Sequence, residues 1–223
     1  MIPSNFLPYV NAYGMVPYTN PPGQSCQNDT LFTVYYMMAV IDQFGAIDAE
    51  ERSRLIDAFN AYQLVSGVTV RFPGSTEVES NDNIIGIGLA SLYLKYSPLA
   101  GGLLDFANRN SWYFPGDDKW YKRWLGRYPG TKAHLELCAG RRVGFFSSIF
   151  WALTVYIAAN RDYEADNYSL TECLCEAIRL RPAPWLMRKA AEYWDRKKPK
   201  ITMRQNLINY GWAQSPHVES MKR

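Results

Sequence analysis

Inside the apolar run from Asn81 to Tyr96 two glycines stand one residue apart, Gly86 and Gly88. Glycine in a helix interior costs roughly 0.5–1 kcal/mol relative to alanine. A pair of them fits such a run where a neighbouring element comes too close to leave room for a Cβ. The run therefore predicts a helix from about Asn81 to Tyr96 that serves as a packing centre. The segment ahead of it, Arg71 to Ser80, contains a Pro73-Gly74 turn, Glu77 and Glu79, and Asp82 follows at the helix entrance. Acidic groups at that end are favoured by the helix dipole and by the unsatisfied amides of the first turn.

Other segments show helical periodicity. A helix starting at Asp29 or Thr30 as N-cap and stopping at Gly45 is apolar on nearly every side, which predicts a central position. The capping box Asp48-x-x-Glu51 opens an amphipathic, peripheral helix with Leu55, Ile56, Phe59 and Tyr62 at helical spacing, ending near Gly67. Ser97-Pro98 reads as N-cap and first helical residue of a helix from Leu99 to Asn108. Asp117-Asp118 can cap a short helix through Leu125, and the next carries His134, Glu136 and Cys138. Val143 to Ala159 is an uncharged run at the lower edge of membrane-span length; with Ser147, Ser148 and Thr154 in it and no second such run, it predicts a central buried helix. Ser169-x-x-Glu172 caps another helix, and Pro182-Ala-Pro184 opens the last.

Strand-like alternation is confined to Val68–Phe72, which fits an edge strand or an extended loop. Residues 1–28, with Pro3, Pro8, Pro17, Pro21 and Pro22, form an extended arm whose Phe6, Tyr9, Tyr13 and Tyr18 argue for packing onto something. The expected fold is all-α: antiparallel helical hairpins in a partial α/α toroid or an irregular helical bundle. One helical domain spans residues 29–210, and a loose basic tail follows from 211 to 223.

Hydrophobic residues make up 48% and charged residues 20%, which excludes wholesale disorder. The four cysteines, Cys26, Cys138, Cys173 and Cys175, lack metal-ligand or C-x-x-C spacing and read as free thiols. Two histidines, His134 and His217, with no supporting spacing argue against a metal centre or a Ser-His-Asp machine, and no cofactor is expected. Gly86-x-Gly88 lacks the strand and the third glycine of a dinucleotide fingerprint. Net charge is +3, unevenly divided: residues 177–223 hold 11 Lys and Arg against 3 Asp and Glu. That basic end, interleaved with Trp185, Tyr193 and Trp194, suits phosphates or an acidic partner, or is a solvated helix face.

Candidate chemistry gathers on Asp82, Glu79 and Asp29 as catalytic acids. Glycan hydrolysis needs one protonated and one ionised carboxyl about 5–10 Å apart, and helix entrances on one rim could supply them. Trp112, Tyr113, Trp120 and Trp124 offer stacking platforms for sugar rings. The plainer reading makes Asp29 and Asp82 helix caps, Glu79 a solvated loop residue and the aromatics half-buried packing.

The pieces Asn28-Asp29-Thr30-Leu31-Phe32-Thr33, Pro73-Gly74-Ser75 through Asn81-Asp82-Asn83-Ile84-Ile85-Gly86-Ile87, and Trp124-Leu125-Gly126-Arg127 with Ala133-His134-Leu135 resemble proteins of unassigned role encoded by tailed bacteriophages. The likeness covers most of residues 26–200. The helical pattern with an Asp-containing loop is also similar in style to α/α-toroid glycosidases and polysaccharide lyases. Many of the phage proteins pair acids where this chain has Asn81-Asp82-Asn83. The resemblance implies a phage protein made in the host cytoplasm, where the lack of a secretory signal pattern also places it, and carried in the virion. Two functions are expected of it: engaging, and cleaving, a bacterial surface glycan; or non-catalytic assembly, with the arm and basic end binding other virion proteins. A homo-oligomer or larger assembly is expected, nucleic acid ranks below these partners, and no membrane span is expected.

Overall fold

The computed structural model describes residues 10–16, 28–65, 68–72, 74–75, 81–114, 128–203 and 205–206. Its helices in chain order are α1 (Asp29–Phe44), α2 (Ala49–Ala61), α3 (Asn81–Tyr93), α4 (Pro98–Arg109), α5 (Tyr128–Cys138), α6 (Phe145–Ala159), α7 (Ala165–Leu180) and α8 (Trp185–Lys197). The fold is all-α, with one small antiparallel hairpin, β1 (Gln63–Val65) against β2 (Val68–Thr69), directly after α2.

The centre is α3, which packs against α1, α4, α5 and α7. A helix enclosed on that many sides belongs to an irregular bundle; a toroid rings its inner helices about an open axis. Both glycines of α3 mark a close approach. A Cβ on Gly86 would meet Leu31 Cδ1 of α1 at 3.1 Å, and one on Gly88 would meet the His134 ring of α5 at 2.8 Å. His134 is fully buried, and its Nε2–H donates to the Ile85 carbonyl at 2.9 Å, joining α5 to the α3 backbone. Burial pulls the imidazole pKa down to about 4, so the ring is neutral at physiological pH. Cys138 Sγ lies 3.6 Å from the same nitrogen.

Around this centre the local signals hold with small shifts. Asn28, rather than Asp29, is the N-cap of α1, and Gly45 closes that helix in the left-handed conformation (φ 80°). Asp48 caps α2 by accepting from the Glu51 amide at 2.8 Å. The predicted reach of α2 to Gly67 is cut at Ala61, because Gln63–Val65 turns back as β1 and pairs with the strand-like Val68–Thr69. Ser97 and Pro98 open α4 as expected. The start expected at Ser169 is corrected: α7 begins four residues earlier, at Ala165, and Ser169 is buried within it, its Oγ accepting from Asn206 Nδ2.

Residues 10–16 of the arm pack onto the body, with Met15 and Val16 buried and the Val16 amide donating to Thr33 Oγ1 at 3.0 Å. Glu51 is buried yet satisfied: Arg54 grips it through two nitrogens, at 2.8 and 2.6 Å, and the Tyr36 hydroxyl donates at 3.1 Å. Arg54 also donates to the Gly14 carbonyl, tying the arm to α2.

At the other end, Tyr156 stacks on Tyr193 and Lys198 Nζ donates to the Arg161 carbonyl, so contacts follow the same order along both helices. Thus α6 and α8 run parallel and pack directly on one another, with α7 linking them in the chain. Arg179 binds Glu172, Glu176 and Asp195, and Trp194 Nε1 donates to Glu172 at 2.7 Å, joining α7 to α8.

The expectation of a central, buried α6 is also corrected. Ser148, Trp151, Ala152, Val155 and Ala159 face inward, while Phe145, Phe146, Phe150, Leu153, Tyr156 and Ile157 are exposed. Lack of charge made the run look buried, yet α5, α7 and α8 cover only one side of it. No helix among the described residues is long and apolar enough to cross a membrane.

Two outcomes follow from the α3–α5 contact. Gly88→Ala will lower the unfolding free energy by about 1–2 kcal/mol, because overpacking against a held ring costs about 1–3 kcal/mol and helix propensity returns at most about 1. Gly101→Ala in α4, where a Cβ meets nothing within 4 Å, will instead raise it by about 0.5–1 kcal/mol; urea unfolding of both variants checks the contrast. The His134 pKa is depressed on folding, so between the unfolded value near 6.5 and the folded value near 4 the unfolded chain binds the extra proton. Stability contributed by the neutral ring will therefore fall with pH, by roughly 2 kcal/mol between pH 7 and pH 5, and unfolding curves of His134→Gln will show a smaller slope in that window.

Candidate functional site

A groove of about 340 Å³ opens at the N-terminal end of α3, where α5, α6 and α7 meet it. Its floor is apolar, formed by Ile85, Trp151, Leu170 and Leu174, and its rim carries Asn81, Asp82, Arg161 and Asn167. Among the described residues Asp82 is the one carboxylate in the lining and Arg161 the one cation. Thr154 and Thr171 line it too, but their hydroxyls donate to the carbonyls of Phe150 and Asn167 one turn back, at 2.9 and 2.7 Å. The Trp151 side chain is fully buried in the wall, and among the described residues its indole N–H has no acceptor.

Of the predicted acids that are described, only one lines this groove. Asp82 lines it, Glu79 lies outside the described residues, and Asp29 is fully buried and turned toward the arm. Asp29 Oδ2 accepts from the Tyr62 hydroxyl at 2.8 Å and from Asn11 Nδ2 at 3.2 Å, and Asn11 also donates to Tyr62 at 2.7 Å. The entrances of α1 and α3 do lie side by side, since Thr30 Oγ1 donates to Asn83 Oδ1. Asp29 nevertheless spends its carboxylate on internal donors, and a polysaccharide cannot reach it. In this structure Asp29 is a buried internal acceptor and not part of the groove lining.

The sugar platform also divides. Trp112 is buried against Phe114, with its Nε1 donating to Asn108 Oδ1 at 3.3 Å. Its backbone takes the left-handed conformation (φ 64°) directly after Ser111 (φ 51°), a turn that non-glycine residues adopt rarely. The ring is core packing, not a stacking surface, which corrects the second expectation. Tyr113 is exposed but is not part of the groove wall, and Trp120 and Trp124 lie outside the described residues.

Among the described residues the thiols add no nucleophile. Cys138, Cys173 and Cys175 are free, buried, and raised in pKa by burial above all, which keeps them protonated. No group of His, Cys, Asp and Glu among the described residues could hold a metal ion. A wider concavity of about 610 Å³ lies beside α4 and the end of α5, but its Asp105 and Arg141 already satisfy one another through two hydrogen bonds of 2.7 and 2.9 Å.

Sequence reasoning missed Arg161, Asn167 and Thr171 as groove residues, although Asn167 and Thr171 at i and i+4 signalled one polar helix face. It also missed the exposed face of α6, which holds six of the described exposed large hydrophobic residues.

Asp29→Ala will lower stability by about 2–4 kcal/mol, since it removes the acceptor shared by the buried Tyr62 hydroxyl and the half-buried Asn11 amide; chemical denaturation will register this as an earlier unfolding midpoint. No protein-family model, curated protein or solved structure matches the chain.

Proposed function

We propose that this chain is a non-catalytic assembly protein of the tailed-phage kind and that it works by docking through the exposed face of α6. The observation that carries this reading is the size of that face. Phe145, Phe146, Phe150, Leu153, Tyr156 and Ile157 are each between 48% and 75% exposed. At about 200 Å² for a fully exposed large side chain they present roughly 700 Å² of apolar surface. The largest patch on a typical monomer is about 300–600 Å², and larger ones mark interaction sites. The phage setting rests on the resemblance carried by Asn28–Thr33, Pro73–Ile87 and the Trp124 and Ala133 segments.

Glycan engagement is the second reading, favoured by the groove with its polar rim, apolar floor and orphan Trp151 N–H. Cleavage there asks for two carboxyls, and among the described residues the groove has Asp82 alone. The groove therefore fits binding better than hydrolysis.

Purified particles of the parent phage, analysed by quantitative mass spectrometry, will contain the chain at many copies each; intact, infectious particles lacking it would overturn the assembly reading. Incubation of the protein with host envelope polysaccharide will release neither reducing ends nor unsaturated products. Turnover that disappears in Asp82→Asn would establish the glycan reading instead.

A further inference from the structure

Resting on the assembly reading, we infer that the partner of α6 is a second copy of this chain, held in a two-fold dimer with the two α6 helices antiparallel. The first argument is spacing. Phe146, Phe150, Leu153 and Ile157 follow one another at four, three and four residues, which places them on one stripe of the helix in the alternation that seats one helix against another. A two-fold axis between Phe150 and Leu153 sets each of these central residues against the other in the second copy. It sets Phe146 at one end against Ile157 at the other, a large ring against a branched aliphatic chain, so the stripe is complementary to itself when inverted.

The second argument is area. About 700 Å² from each copy approaches the roughly 800 Å² per partner of a standard stable interface. Trp185, exposed at the start of α8, lies at the same end of the parallel α6–α8 pair as Phe145 and Phe146 and extends the patch.

Charge supplies the third argument and fixes direction. No charged side chain lies within α6, so bringing two copies together leaves no ion stranded in the interface. Exposed Arg141 and Arg142 precede the helix; Arg161, Asp162 and Glu164, also exposed, follow it. Arg141 is bound to Asp105, and Arg161 borders the groove. Antiparallel pairing opposes the helix dipoles and keeps Arg142 of one copy away from Arg142 of the other. Parallel pairing would stack Arg142 on Arg142.

Sedimentation of the full chain across a concentration series tests the inference. Wild type is expected at twice the 25.6 kDa chain mass at micromolar concentration. Leu153→Glu, on the solvent side of α6, is expected to keep its helical circular dichroism while weakening dimerisation at least about 30-fold, the loss typical of a central interface residue. In a mixture of Phe146→Cys and Ile157→Cys chains, mild oxidation is expected to form the mixed disulfide in preference to either self-disulfide. A monomeric wild type, a dimer indifferent to Leu153→Glu, or dominant self-disulfides would overturn the proposal. If wild type is monomeric yet binds anionic lipid vesicles or another particle protein, and Leu153→Glu abolishes that binding, the second copy is overturned while the assembly reading stands. If Leu153→Glu leaves self-association and particle incorporation both unchanged, the docking role of α6 falls as well.

Discussion

The contact of His134 with α3 sets the spacing of the bundle. A neutral imidazole lies where a Cβ on residue 88 would be, and its hydrogen bond to the Ile85 carbonyl fixes both depth and rotation of α5 against α3. On the neighbouring face Gly86 lets Leu31 of α1 approach as closely. With α3 held between α1 and α5, the remaining helices fill in around it, and α6 comes to rest on the outer side of α5 and α8. The bare face of α6 follows from that arrangement: among the described residues the bundle offers it neighbours on one side only.

Hydrogen-bonded acids lock the periphery. Asp29 holds Tyr62 and Asn11, Glu51 holds Arg54 and Tyr36, and Glu172 holds Arg179 and the Trp194 indole. These acids serve as internal acceptors that fasten the arm to α1 and α2, and α7 to α8. A carboxylate with that many donors is committed to the fold. Among the described residues, Asp82 is the predicted acid that borders the groove.

Much of the fold was legible from local rules. The capping box at Asp48, the Gly45 stop and the Ser97-Pro98 start act over one turn of chain, so residue order alone reveals them. The paired glycines correctly marked α3 as a place of close approach. The candidate site was less legible. Asp29 and Asp82 stand at equivalent places in sequence, each leading an apolar helix, yet one is sealed beneath the arm and the other borders a groove. That difference arises from contacts between Asn11, Asp29 and Tyr62, which are far apart in the chain.

The sequence by itself determined the all-α class, most helix boundaries and the need for tight packing at Gly86 and Gly88, because caps, glycine cost and periodicity are properties of a few consecutive residues. Tertiary structure decided which apolar surface is covered. Uncharged residues from Val143 to Ala159 are equally consistent with a buried helix and with a docking face, since hydrophobicity reports that a surface avoids water and not what covers it. Only the placement of α5, α7 and α8 on one side of α6 leaves Phe146, Phe150, Leu153 and Ile157 facing outward.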